Sequence, residues 1–191
     1  MERLIHFFSH YRQLSPEARS FIQAHGEIKT YAKNEWYKHG EQSIAKWCFV
    51  LEGLVAKIGC KNGSNEYIER LCPTHGYFTG SKHPYSSSSE PLAIQFLQST
   101  TLYEISIIAL QEALTIFPEL KDIYQVLQQH RQLRLQEQLH ILRMSSLHRL
   151  HALFVLRPGI YAHLTVLQRM SYLDISNFRE YYKALNYHMR R

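Results

Sequence analysis

From Pro118 to about Leu147 the apolar positions recur with a helical period, in a run, PELKDIYQVLQQHRQLRLQEQLHILRMSSL, with no Gly or Pro after its first residue. Leu, Gln, Arg and Glu dominate it, all good helix formers. At about 100° per residue, Leu120, Ile123, Tyr124, Leu127, Leu135, Ile141 and Leu142 share one face, which His130, Arg131, Arg134 and Gln138 interrupt at its waist. The pattern predicts a spine helix whose apolar seam seats a partner helix at both ends and holds polar groups between them. Removal of Leu120 and Leu127 is then expected to give monomers.

Before the spine the period shortens to two. Residues 2–25 read as a helical lead-in, with Ser15 as N-cap, Pro16 at the first helical position, Phe21 and Ile22 facing the core and Gly26 as terminator. Short alternating runs follow from Ile28 to Ile105: IKTY, EWY, KWCFVLEGLVAKIG, EYIERLC, LAIQFL and TLYEIS. Such runs, broken by turn residues, predict a β-sandwich or barrel. Gly53 reads as a bend between two strands, and Lys61-Asn62-Gly63-Ser64-Asn65 as a hairpin turn, because Asn and Gly tolerate positive φ. Gly76–Pro91 is the one long polar loop of this region, and Ile107–Phe117 returns to a helical pattern.

After the spine, a break near Ser145-Ser146 precedes a helix over 147–156, stopped by Arg157-Pro158-Gly159. His163–Leu173 reads as the next helix, with Leu164, Leu167 and Met170 on its apolar face. Asp174-Ile175-Ser176 is a short break with Ser176 as N-cap, and Asn177–Leu185 forms the last helix. Two short helices separated by three or four residues follow the helix-turn-helix pattern.

Composition refines this picture. A chain of 191 residues, 45% of them apolar, is long enough for one or two domains with a real core. It contains no apolar run long enough for a membrane span. The N-terminal residues lack a secretory pattern, so a cytoplasmic location is expected. Cys48, Cys60 and Cys72 form no CxxC pair and are expected as reduced thiols in a sheet core. The formal net charge is +6, and the last 44 residues carry seven Lys or Arg against two Asp or Glu. A basic terminal module is the footprint of a polyanion binder.

The order of these elements resembles the Crp–Fnr superfamily of transcription regulators over nearly the full length. The residues that carry the resemblance are Phe49-Val50-Leu51-Glu52-Gly53-Leu54-Val55, similar to the family's strand–Gly–strand signature, the Gly76–Phe96 loop and return strand, Phe117-Pro118, and Met170-Ser171-Tyr172-Leu173-Asp174-Ile175-Ser176, similar to its helix-turn-helix turn. The resemblance implies an α+β chain in three parts. Residues 1–117 would form a jelly-roll-like, cyclic-nucleotide-binding-like β-roll, 118–147 a dimerisation helix with its seam at Leu120, Ile123, Tyr124, Leu127, Leu135 and Leu142, and 148–191 a degenerate, winged-type helix-turn-helix module. It further implies a homodimer on double-stranded DNA, no enzymatic activity, no cofactor and no resident metal.

The departures from the family pattern are chemical. Phe78-Thr79-Gly80 stands near the family's Gly-Glu, and Pro91-Leu92-Ala93 near its Arg-Ala, with no Lys or Arg between His83 and Thr101. A buried phosphate without a counter-charge is costly, so no cyclic nucleotide is expected. The pocket reserved for an unidentified small-molecule effector is assigned to Phe78, Gly80, Lys82, Ser88 and Ser89. The family's turn Gly is Asp174, which must take positive φ. In the recognition helix, Ser176, Asn177, Arg179, Glu180 and Lys183 are placed toward bases, Arg169 toward phosphates, and Phe178, Tyr181 and Leu185 toward the core. The readings weighed against this one are an adaptor that has lost both ligands and a cupin-like metal enzyme, whose His-x-His motif is missing from the β region.

Overall fold

The structure is a computed structural model that describes every residue except 62–64, 84 and 87. Helices α1 (Glu2–Ser9) and α2 (Pro16–His25) lead in. The Ser15 hydroxyl accepts the Ala18 N–H at 3.1 Å, Pro16 opens α2, and Gly26 ends it at the first residue of β1 (Gly26–Tyr31). Strands β2 (Trp36–Lys38), β3 (Lys46–Glu52), β4 (Leu54–Lys61), β5 (Asn65–Pro73), β6 (Tyr77–Thr79), β7 (Ala93–Phe96) and β8 (Thr100–Ser106) complete the β region.

The strands form two four-stranded antiparallel sheets, ordered β1-β8-β3-β6 and β2-β7-β4-β5. Cys48, Val50, Val55, Cys72, Phe78, Ile94, Phe96 and Leu102 fill the layer between them. Cys60, assigned to the core from sequence, is exposed; Cys48 and Cys72 are buried. The turn expected at 61–65 has its centre outside the described residues, while β4 and β5 pair on either side of it. Gly53 joins β3 to β4 with φ +109, and a Cβ there would lie 2.8 Å from the Ser99 carbonyl oxygen. Only Gly fits that bend.

Helices α3 (Ile107–Ile116) and α4 (Pro118–Arg143) follow, and here the predicted seam is corrected. Leu120, Ile123, Tyr124 and Leu127 are buried in one cluster with Phe8, Ile22, Trp47, Phe49, Tyr77 and Tyr103 of the same chain. They close the roll rather than wait for a partner. Leu142 is half-buried and Leu135 is 37% exposed, so the six positions do not make one free seam. Amphipathicity reveals that a face is covered, not by what, and the roll's β3 side supplies the cover.

Four helices complete the chain: α5 (Ser146–Leu156), α6 (Pro158–His163), α7 (Val166–Tyr172) and α8 (Phe178–Met189). Arg157-Pro158 ends α5 at Leu156, as expected, and Pro158 also opens α6, since its missing N–H costs nothing in a first turn. Helix α7 begins only after a Thr165–Gln168 capping box, which leaves Leu167 65% exposed and Leu164 and Met170 buried. Among the described residues no strand follows β8, so the module lacks the expected wing. It packs directly on the roll: Leu54, Ala56, Ile58, Ile68 and Leu97 share a cluster with Ile141, Leu150, Leu153, Met170, Leu173 and Tyr181. The edge strand β5 is covered by α7, where the Ile68 N–H donates to Ser171 Oγ at 2.8 Å. No helix among the described residues is long and apolar enough to cross a membrane.

Candidate functional site

The waist of α4 faces a cleft of about 300 Å³ at the junction of roll, spine and C-terminal helices. Five cations line it: Lys57 from β4, Arg70 from β5, Arg131 and Arg134 from α4, and Arg157 between α5 and α6. Apolar lining comes from Leu71, Cys72, Tyr77, Phe78, Leu127, Leu135 and Tyr172. Three carboxylates neutralise part of this charge. Glu90 pairs with Lys57 and lies 3.7 Å from Arg70; Glu69 meets Arg70 at 2.9 Å; Glu137 pairs with Arg157.

Among the described residues neither Arg131 nor Arg134 has a carboxylate partner. Arg131 lies over the Tyr77 ring at 5.4 Å, and Arg134 donates to the His75 carbonyl at 3.4 Å. Burial holds the Lys57 ammonium below the ordinary lysine value despite Glu90, and holds Arg134 below its usual value too. The Cys72 thiol beside them is pushed up to about 11 by burial, against the pull of Arg134, Lys57 and Arg131. Gly76 permits this packing, since a Cβ there would lie 2.7 Å from both Arg134 Nη1 and Cys72 Sγ.

Of the residues assigned to the effector pocket from sequence, only Phe78 lines the cleft. Gly80 is packed against Ile44, and Lys82 and Ser88 are exposed. Ser89 Oγ accepts from Lys38 Nζ at 3.2 Å and donates to the Gln42 carbonyl. Lys38 is 1% exposed and also donates to the Gly40 and Glu90 carbonyls, so this lysine fixes the loop. The polar loop therefore brings no cation to the cleft; its Glu90 pairs with the lining Lys57, and the cations come from strands, spine and Arg157. The apolar neighbours Ala56 and Ile58 of Lys57, and the adjacent Glu69 of Arg70, hid the two cations in the sequence; a charged residue at an inward position of a period-two run was the available signal.

The helix-turn-helix geometry is carried by α7 and α8. Asp174 takes φ +50 in the turn, as expected. Arg149 of α5 clamps it: Nη1 donates to the Leu173 and Asp174 carbonyls at 2.9 Å, and Nε to the Met144 carbonyl at the end of α4 at 3.0 Å. One guanidinium thus ties the end of the spine to the turn, a role the sequence reading missed.

The N-cap of α8 is Asn177 rather than Ser176: its Oδ1 accepts the Glu180 N–H at 3.0 Å, and Ser176 Oγ lies 3.4 Å from the Glu180 carboxylate. Asn177 and Glu180 are therefore engaged in the cap, and the Ser176 hydroxyl bridges their side chains. Arg169, expected toward phosphates, points inward, over the Tyr161 ring at 4.0 Å with Nη1 donating to Tyr181 Oη. Tyr181 and Ala184 are buried and Leu185 half-buried, whereas Phe178 is 49% exposed. The free face of α8 presents Arg179, Tyr182, Lys183, Asn186 and Arg190, spaced i, i+3, i+4, i+7 and i+11.

Solved structures repeat this arrangement of roll, long helix and terminal helices. FixK2 from Bradyrhizobium japonicum superposes with a TM-score of 0.71 at 13% identity, over 86% of this chain and 85% of that one. A cyclic nucleotide-binding domain containing protein from Listeria monocytogenes EGD-e gives 0.71 at 16% identity, over 98% and 91%. The c-di-GMP responsive global regulator CLP of Xanthomonas campestris gives 0.67 at 12%, over 92% and 93%. The chain has the Crp–Fnr fold. Neither a protein-family model nor a curated protein sequence matches it.

Within the Crp–Fnr fold the terminal module of this chain carries a titratable joint. His188 of α8 meets His151 of α5 at 3.2 Å between Nδ1 atoms, lies tilted against the Phe154 and Tyr161 rings, and has Arg169 nearby. Partial burial, His151 and Arg169 hold the His188 imidazole below its ordinary 6.5. A histidine depressed in the fold binds fewer protons there than when unfolded, so its contribution is complete above 6.5 and is lost as pH falls through the lower value. Amide exchange in α8 is expected to accelerate between pH 7.5 and 5, beyond the intrinsic rate change, and to lose that excess in His188→Phe. An unchanged excess in the variant would place the pH response elsewhere.

Proposed function

We propose that the chain is a transcription regulator that binds duplex DNA as a homodimer and is controlled by an effector in the junction cleft. The observation that carries this reading is the free face of α8, along which Arg179 and Lys183, with Arg190 at its C-cap, are exposed beyond a turn held by Arg149. Arg can fork onto guanine O6 and N7, and the remaining cations serve phosphates. Asn186 is placed to pair with adenine, and Tyr182 to contact a thymine methyl.

The dimer seam we assign instead to the outer face of α4. Gln129, Leu133, Gln136, His140 and Arg143 follow a 4-3-4-3 spacing there, with Leu133 55% exposed. Two-fold pairing along α4 would set two recognition helices one DNA turn, about 34 Å, apart on a palindromic site.

The test is selection of bound sequences from a random duplex pool at two salt concentrations, with wild type and Arg179→Ala in parallel. A two-fold symmetric motif is expected, with Arg179→Ala weakening specific binding by about 1–3 kcal/mol and relaxing one base position. Salt-sensitive binding with no motif would overturn sequence reading. Absence of any binding would favour the second reading, an adaptor whose α8 meets protein, for which the exposed Phe178 and Tyr182 rings are the supporting observation.

A further inference from the structure

The charge balance of the junction cleft identifies what it takes. Five cations converge on about 300 Å³, while Glu90, Glu69 and Glu137 supply three negative charges. The surplus of two lies on Arg131 and Arg134, both half-buried, and Lys57 behind them is almost wholly enclosed. Elsewhere in the roll the same chemistry is balanced differently. Glu104, 1% exposed, is met by Lys46 at 2.7 Å, by the Tyr31 hydroxyl and by Lys29 at 3.9 Å, and Lys46 and Lys29 share Glu27 as well. There each cation has a carboxylate. Gathering partly desolvated guanidinium groups without one is costly, because like charges repel strongly where water is scarce. A bound anion relieves that cost.

We infer that the cleft binds a compact organic dianion, a dicarboxylate or a phosphomonoester, through Arg131 and Arg134. Guanidinium forks match the planar oxygen pairs of carboxylate and phosphate, and the apolar wall of Leu71, Phe78 and Leu127 suits a short carbon skeleton. The volume stands at the low end of small-molecule sites. A cyclic nucleotide fits poorly: it carries one negative charge against a surplus of two, and the charge that the loop sets against the cleft cations Lys57 and Arg70 is a carboxylate, Glu90.

The cations come from three bodies, Lys57 and Arg70 from the roll, Arg131 and Arg134 from the spine, and Arg157 from the hinge into α6. A dianion among them draws the spine and the C-terminal helices onto β4 and β5. This rests on the cleft being the effector site of the proposed regulator. Binding of the ligand then tightens the α7–β5 contact at Ser171, and with it the position of α8.

The experiment is calorimetric titration of the full chain, without DNA, with succinate, glycerol 3-phosphate and 3′,5′-cyclic AMP at constant ionic strength. Saturable binding of at least one dianion is expected, with cyclic AMP at least tenfold weaker. Arg131→Gln and Arg134→Gln are each expected to weaken the dianion tenfold or more, the effect of losing a charge-assisted hydrogen bond. Thermal melts without ligand show that each variant is folded, and Lys82→Gln, outside the cleft, is expected to bind as wild type. No saturable dianion binding, or binding that survives both Arg substitutions, would overturn the ligand class, whatever the DNA selection shows. Dianion binding that leaves operator affinity unchanged would uphold the ligand class and overturn the control assigned to the cleft.

Discussion

Glu90→Ala is expected to destabilise the folded chain by about 3–5 kcal/mol, the cost of stripping a buried ion of its partner. Lys57 is 5% exposed, and Glu90 is its carboxylate; removal also strands one side of Arg70. The urea midpoint of unfolding measures the loss. The double variant Lys57→Met/Glu90→Leu is expected to recover most of it, since an apolar pair of similar volume in such a site is often neutral or better. The deficit of Glu90→Ala has a pH signature. Burial holds Lys57 below its ordinary 10.5, so between the folded and unfolded values the unfolded chain binds more protons, and stability rises with pH. Without Glu90 the depression deepens, and the deficit relative to wild type shrinks from pH 7 toward pH 9. A deficit below about 1 kcal/mol at pH 7, or one that does not vary with pH, would show that Lys57 reaches water or another anion.

That pair also shows where the sequence stops being legible. The order of elements, the bend at Gly53, the cap at Ser15 and the positive φ at Asp174 rest on local rules, in which a residue type answers to a backbone conformation. Each was readable because the physics lies within a few residues. The polar waist of α4 was readable too, for Arg131, Arg134 and Gln138 fall on one face by periodicity alone, and Gln138 does reach the Glu69 carbonyl at 2.6 Å. What the waist faces was not. Lys57 and Glu90 are 33 residues apart and Arg134 and His75 are 59 apart, so their meeting depends on the pairing of β4 with β7 and on the seat of α4 against the roll. The loop after Gly76 brings no cation to the cleft, because strands, spine and Arg157 supply them. At α8 the error was one residue. Asn and Ser are both good caps, and only the hydrogen bond from Glu180 N–H decides for Asn177, which turns Phe178 outward and ties up the Asn177 amide oxygen.

Leu127→Ala is expected to cost about 2–5 kcal/mol and to destabilise the chain rather than divide a dimer. Its side chain is 2% exposed beneath Trp47, Tyr77 and Tyr124, and it also walls the junction cleft. Truncation leaves a cavity that a sheet and a helix on opposite sides cannot close. Leu133→Arg makes the converse test. That side chain is 55% exposed on the outer face of α4, and a charge there leaves the roll intact but sets two like charges across a two-fold seam. Sedimentation and thermal melts separate the two variants. Leu127→Ala should lower the melting temperature with little change in mass at low temperature, and Leu133→Arg should halve the mass while the melt of the monomer core stays near its place. The opposite pattern, a Leu127→Ala monomer that melts as wild type, would mean that α4 leaves the roll to pair with a second copy. The core between Phe8, Trp47 and α4 would then be a feature of the isolated chain. If both variants keep the wild-type mass, the pairing surface lies off α4, and the exposed Phe154, Val155 and Leu156 of α5 become the next face to substitute.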